Sequence, residues 1–347
     1  MCKTPGATGN VVTACDQVAL EKEAASSAQL WKTQENYQDP LEDPETPQKA
    51  SDDAAKLPRL NVQDVRAAAK SLPVNTGVGI DNEAPRAIDR LSDNAIEARI
   101  DVFQACEGEG VWGDYNTNVL TVLLPKPDGG VRPIGLLPTF IRIWSRDRMR
   151  EARKWEADSA NPCLFGGKDM GAQKAAWLAS FRAEVTHLAQ KEKIQTLLDM
   201  TNAFETIPHG KLVTTALKYG YNIGLLRLSI ASYRLPRSTG CEGVQSALLT
   251  ATRGITAGSG FATTELRILM QEVVLLSLLD WGESVNRTLY VDDLTIETEG
   301  RTEAAAGRNA AASDDICRIL QEQVGFDISE KKSVVVASSP MRSSLLR

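Results

Sequence analysis

Three aspartates carry the chemistry legible in this sequence. Asp292 and Asp293 stand side by side in Leu289-Tyr290-Val291-Asp292-Asp293-Leu294-Thr295-Ile296, between two runs of strand-forming residues. An isolated Asp-Asp pair is most often a hairpin turn. Here strand formers continue right up to the pair, and the turn lacks the Gly or Asn that a tight hairpin prefers. Carboxylates held at the end of a sheet have another use, because hard divalent cations bind through oxygen. A third carboxylate, Asp199, ends the apolar strand of Leu197-Leu198-Asp199-Met200-Thr201-Asn202-Ala203-Phe204-Glu205, about ninety residues upstream. Alone it would be an N-cap for the turn that follows. Together, two strand-end acidic sites suit two Mg²⁺ ions roughly 3.5–4 Å apart, which stabilise the attacking and leaving oxygens of phosphoryl transfer.

The elements that must position these groups form a mixed α+β pattern with no internal repeat and no strict βαβ alternation. Strands are expected at 119–124 and 131–136, joined as a hairpin by Pro127-Asp128-Gly129-Gly130, and at 194–199. A β-like stretch covers 247–253, and 289–296 is a strand pair interrupted by the aspartates. Helices are expected near 93–106, 139–156, 171–190, 208–219 and 222–234. A long amphipathic helix spans 262–280, its stripe broken by Arg267, Gln271 and Glu272, and a last helix near 302–324 precedes a hairpin around 326–337. Asn61 is the N-cap expected for the first firm helix. The stretch 38–56 is rich in Pro, Asp, Glu and Ser and reads as a disordered tail or linker.

Composition excludes several functions. The chain has 347 residues, 39 basic and 45 acidic, for a net charge of −6, and 42% apolar residues. Its six cysteines are scattered with no CxxC pair, so neither a disulfide scaffold nor a zinc ribbon fits. Two histidines rule out a multi-histidine metal centre. No apolar run approaches the roughly 20 residues of a membrane span, and no signal-peptide h-region is present. The expected setting is intracellular, nuclear or cytoplasmic, away from membranes. The charge is uneven. Residues 1–70 hold 8 basic and 11 acidic groups, whereas 126–154 holds eight basic residues against three acidic, a net of +5. Such runs are usually solvated helix faces, and less often polyanion sites.

The combination, order and spacing of these segments resemble the catalytic core of a reverse transcriptase, most closely those of non-LTR (LINE-type) retroelements. The stretch from Leu198-Asp199 to Phe204-Glu205-Thr206-Ile207-Pro208-His209 is similar to palm motif A, and Tyr290-Val291-Asp292-Asp293 to motif C. Leu123-Leu124-Pro125-Lys126-Pro127-Asp128-Gly129-Gly130-Val131-Arg132 resembles the fingers hairpin, and Gly79-Ile80-Asp81 with Pro85 the short motif before it. Gly325-Phe326-Asp327 through Lys332-Ser333 resembles motif D. The likeness covers about residues 77–336, in family order.

The resemblance implies a right-hand polymerase fold. Residues 1–58 would be a disordered tail, 59–190 fingers, 191–337 palm, and 338–347 a further tail. Some fifteen residues follow Lys332, so fingers and palm without a thumb are expected. By the same resemblance, Asp199 and Asp292, assisted by Asp293, bind two Mg²⁺ ions, or Mn²⁺ in their place. Lys332 donates a proton to the leaving pyrophosphate. Lys126 and Arg132 hold the incoming triphosphate. Phe204 is the steric gate against a ribose 2′-OH, and Gly258 lines the nucleotide and template site. The implied partners are an RNA template, a DNA primer and dNTPs. One departure stands out: Ala257 occupies the place of the motif B glutamine. The competing readings are an RNA-dependent RNA polymerase and a catalytically impaired remnant that only binds nucleic acid.

Overall fold

The computed structural model describes residues 17–32, 39–43, 45–115, 118–126, 131–167, 170–241 and 244–338. In chain order these form α1 (Gln17–Leu30), α2 (Glu45–Ala55), α3 (Val62–Ser71), α4 (Pro85–Ile88), α5 (Asp93–Glu109), β1 (Val119–Pro125) and β2 (Val131–Leu136). There follow α6 (Thr139–Asp158), α7 (Ala172–Leu188), β3 (Glu192–Asp199), α8 (Ala203–Thr206), α9 (His209–Lys218) and α10 (Ile223–Tyr233). The rest comprises β4 (Arg237–Cys241), β5 (Val244–Gln245), α11 (Ala262–Trp281), β6 (Asn286–Tyr290), β7 (Asp293–Gly300), α12 (Thr302–Arg318) and β8 (Val334–Ala337). The fold class is α+β, as expected. The turn residues 127–130 of the anticipated hairpin, and most of the tail at 338–347, lie outside the described residues.

The chain divides into two compact units, Met1–Met149 with Asn222–Ala262, and Arg150–Tyr221 with Thr263–Arg347. The first unit carries a sheet in the order β2-β1-β4-β5. β1 pairs antiparallel with β2 and parallel with β4. Its β4 replaces the β-like stretch expected at 247–253, of which only Leu249 bridges to Arg237. Arg237-Ser238-Thr239-Gly240-Cys241 shows no apolar alternation; its strand conformation comes from the partner it finds in β1.

The expectation of disorder over 38–56 is overturned at α2. Ala50 and Ala54 are buried, and α10 packs on them at Gly224, where a Cβ would stand 2.7 Å from the Ala50 carbonyl oxygen and from the Ala54 nitrogen. The Asn222 amide donates to the Asp53 carbonyl at 3.0 Å. A polar helix with a two-alanine stripe is thus held by close backbone approach, which composition does not register. Helix α1 is likewise integrated: Trp31 is buried, its carbonyl accepts from the backbone of Thr252 and Arg253, and the Arg237 guanidinium sits 4.6 Å from its ring centre. The Asn61 cap is as expected, its side chain accepting from Asp64 N–H at 2.9 Å.

Part of the cationic run at 126–154 does structural work. Arg148 is 1% exposed and meets Glu107 in a bidentate pair, Nε to Oε1 at 2.6 Å and Nη2 to Oε2 at 2.7 Å. The Trp144 indole and the Pro58 carbonyl complete the network. Arg142 donates to the Gly77 carbonyl and Thr76 hydroxyl, and Asp81 accepts from Thr139 N–H at the start of α6.

The second unit carries a sheet in the order β6-β7-β3-β8, antiparallel throughout. Helix α12 packs on β7 and β3. Its buried Asn309 donates to the carbonyls of Ile194 and Ile296 and accepts from Thr196 Oγ1 at 2.5 Å, tying both central strands to the helix. On α7, Arg182 reaches Glu297 at 3.1 Å, and Lys193 of β3 reaches it at 2.5 Å. Helix α11 is not amphipathic in the expected sense. Arg267, Gln271 and Glu272 are themselves buried, Arg267 donating to the Glu156 and Ser159 carbonyls, and Glu272 accepting from Lys218 and Tyr219.

Breaking the Arg148–Glu107 pair leaves a buried charge uncompensated, which costs about 3–5 kcal/mol. Glu107→Ala should lower the unfolding free energy by that amount in urea titration. The double variant Glu107→Leu/Arg148→Met should recover most of the loss.

Candidate active site

The register of β3 against β7 runs unbroken from Glu192↔Gly300 to Asp199↔Asp293, so two carboxylates face each other at the end of the sheet. Like charges in that relation repel. β6 and β7 pair down to Tyr290↔Asp293, leaving Val291 and Asp292 as a two-residue turn. The absence of Gly or Asn, which counted against a tight hairpin, does not prevent one. Val291 takes φ +60°, the first-position left-handed conformation that type II′ turns normally give to Gly. A β-branched residue there costs about 1–3 kcal/mol and persists only where its surroundings over-determine it. The turn therefore belongs to both readings of the sequence, a hairpin and a carboxylate cluster at once.

Asp199 is further fixed by the segment preceding β8. Its carbonyl accepts from Ser329 N–H at 2.8 Å, and its own N–H donates to Ser333 Oγ at 3.1 Å. Thr201 N–H donates to the Asp327 carbonyl at 2.8 Å, and Met200 bridges to Ile328. This is where Lys332 arrives: its Nζ is 3.5 Å from Asp199 Oδ2. That oxygen is buried and accepts no hydrogen bond. Burial, then the charges of Asp292 and Asp199, push the Asp293 carboxyl above its ordinary value. Phe204 lies on α8, half-buried, after Asn202 turns the chain at φ +49°.

Among the described residues, no three His, Cys, Asp or Glu side chains are arranged to ligate a metal. The donor set nonetheless suits a hard divalent cation: oxygen only, mutually repelling, with one buried oxygen lacking a hydrogen bond.

The remaining expected residues lie in the first unit. Lys126 follows β1 and is half-buried, while Arg132 on β2 is exposed, opposite Leu124. Gly258 adopts φ +112°, and a Cβ there would stand 2.5 Å from the Gly135 carbonyl oxygen. Gly135 N–H in turn donates to the Ala257 carbonyl at 2.8 Å, so the glycine-rich loop is docked along β2. Asp199, Phe204, Asp292, Asp293 and Lys332 belong to the second unit.

Sequence reasoning missed Ser329 and Ser333, whose backbone and hydroxyl contacts fix Asp199; nothing in a serine's spacing announces such a role. It also missed the segment 163–167 beside the Val291–Asp292 turn. The adjacent glycines Gly166-Gly167 were the available signal, since such pairs mark close backbone approach.

The family described as reverse transcriptase (RNA-dependent DNA polymerase) matches residues 124–343. No curated protein matches the sequence. Among solved structures, apo telomerase from Candida tropicalis, truncated from its C-terminal domain, is 13% identical over 66% of this chain and 52% of that chain, with a TM-score of 0.48. Telomerase of the same organism in complex with a TWJ fragment of telomeric RNA is 14% identical over 65% of this chain and 41% of that chain, with a TM-score of 0.47. The chain thus spans about half, or less, of the length of these structures.

The facing carboxylates generate a test. Without divalent cations, Asp293→Asn should stabilise the protein by about 0.5 kcal/mol through loss of like-charge repulsion. Added Mg²⁺ should stabilise the parent more than the variant and so narrow or reverse the difference. Urea titrations in EDTA and in Mg²⁺ check both statements.

Proposed function

The chain belongs to the reverse transcriptase (RNA-dependent DNA polymerase) family, whose match covers residues 124–343, and on that premise we propose that it extends a primer with deoxynucleotides on an RNA template. The observation that carries this reading is the opposition of Asp199 and Asp293 across one register, with Asp292 in the adjoining turn. In this reading 59–190 act as fingers and 191–337 as palm, of the non-LTR (LINE-type) variety.

Asp199 and Asp292, with Asp293, would hold two Mg²⁺ ions, or Mn²⁺. Bound there, the ions supply Lewis-acid stabilisation of the attacking and leaving oxygens. The chain's own residues do the rest. Asp199 is held by its backbone on both sides, so its carboxylate is offered to the site without reorganisation. Lys332, already beside Asp199 Oδ2, carries a proton to the leaving pyrophosphate. Lys126 and Arg132 bind the triphosphate by charge-assisted hydrogen bonds. Phe204 excludes a 2′-OH by its bulk. Gly258, at a φ only glycine adopts freely, lets backbone approach the templating strand.

The test is primer extension on an RNA template with dNTPs and Mg²⁺. The parent should extend the primer, and Asp292→Asn should lose about 10³-fold or more of the rate while template binding persists, electrostatic groups at a reacting centre being worth roughly that much. Phe204→Ala should raise the use of NTPs relative to dNTPs. A parent that prefers NTPs would indicate an RNA-dependent RNA polymerase. A parent that binds template without Mg²⁺-dependent extension would indicate a nucleic-acid-binding remnant.

A further inference from the structure

The segment between α6 and α7 reaches the catalytic turn from outside the motifs that define it. Leu164 bridges in parallel to Leu289 of β6, Leu289 N–H donates to the Cys163 carbonyl at 2.8 Å, and Phe165 N–H donates to the Leu289 carbonyl at 2.7 Å. Residues 163–165 thus extend the sheet beyond β6. Leu164 and Phe165 are buried, which fixes the segment in the unit's core. The next residue, Gly166, abuts the strained position itself. A Cβ at Gly166 would lie 3.3 Å from Val291 N, 3.5 Å from its Cγ2 and 3.7 Å from its Cα.

On its other side the segment lies against Arg267. At Gly167 a Cβ would lie 2.6 Å from Arg267 Nη1, and the same guanidinium is held through Nη2 by the Glu156 and Ser159 carbonyls. With Leu164 and Phe165 buried and Arg267 bonded to two carbonyls, the contact of an added Cβ falls on Val291. Displacing Val291 displaces Asp292, its neighbour in the turn.

We propose that Gly166 is a positioning residue for Asp292: the hydrogen-bonded segment 163–166 is the template against which the left-handed Val291 turn is set, and a Cβ at 166 would press on the Val291 nitrogen and shift the turn by a few tenths of an ångström. The kinetic part of this proposal rests on the polymerase reading; the structural part does not.

The experiment uses the full chain as parent, Gly166→Ala, Val291→Gly and the double variant. Gly166→Ala should shift the backbone amide resonances of Asp292 and Asp293. It should also lower kcat for dNTP addition about tenfold, given that a 1 Å misplacement can cost about 10²-fold. KM for dNTP and Tm should stay at parental values. Adding Val291→Gly, which lets the turn yield at positive φ, should restore most of kcat. Unchanged resonances and unchanged kcat in Gly166→Ala would overturn the proposal, as would a loss of kcat that Val291→Gly leaves uncorrected. If the parent itself extends no primer, the polymerase reading fails, and the resonances alone decide: shifts confined to 289–293 sustain the positioning role, and their absence refutes it.

Discussion

Asp199 and Asp293 face each other at the end of β3 and β7, and the second unit is arranged to carry the repulsion between them. Eight consecutive backbone pairs fix the register, so the carboxylates cannot separate by sliding without turning every side chain of the strand to the wrong face. Asn309 ties both strands to α12. Ser329 and Ser333 hold the Asp199 backbone from the other edge. These interactions are hydrogen bonds of ordinary strength, each worth about 0.5–1.5 kcal/mol net. Their sum keeps together charges that would otherwise relax apart, and a divalent cation is the complement such an arrangement calls for.

The local parts of this structure were legible in the sequence. The strands at 119–124 and 131–136 and the helix at 93–106 announce themselves by period and flanking turn residues, and Asn61 caps as its position suggests. The strand ends bearing Asp199 and Asp293 were equally plain. What escaped detection depends on partners distant in sequence. β4 is a strand because β1 lies beside it, and α2 is a helix in place because Gly224 admits it. Arg267 and Glu272 read as breaks in the apolar stripe of α11, and the partners that let them be buried there lie in other segments. Arg148, counted in a cationic surface run, is a core residue. In each case the residue type was read correctly and its environment was not, because the environment is supplied by another segment.

The candidate site divides in the same way. Motif residues located the carboxylates and Lys332, but not the conformation that presents them. Val291 was a strand former by composition and is a left-handed turn residue in fact. The strain is intelligible only beside Gly166 and the hydrogen bonds that bring it there. Ala257, which stands where the motif B glutamine is expected, contributes through its carbonyl to Gly135, a role independent of its side chain.

The strand order β6-β7-β3-β8 also sets a timetable. β3 is central, yet both its neighbours lie later in the chain, and the last pairing residue, Ala337, follows Asp199 by 337 − 199 = 138 residues. At 5–20 residues per second a ribosome needs roughly 7–28 s to cover that distance. Until β7 is made, Ile194, Leu197 and Leu198 belong to a strand with two open edges, and until β8 follows, to one with a single open edge, whereas collapse takes microseconds. The strand that ends in Asp199 is made early and its sheet completed last, so the nascent chain carries an unpaired strand edge, a site open to wrong pairing, over that interval.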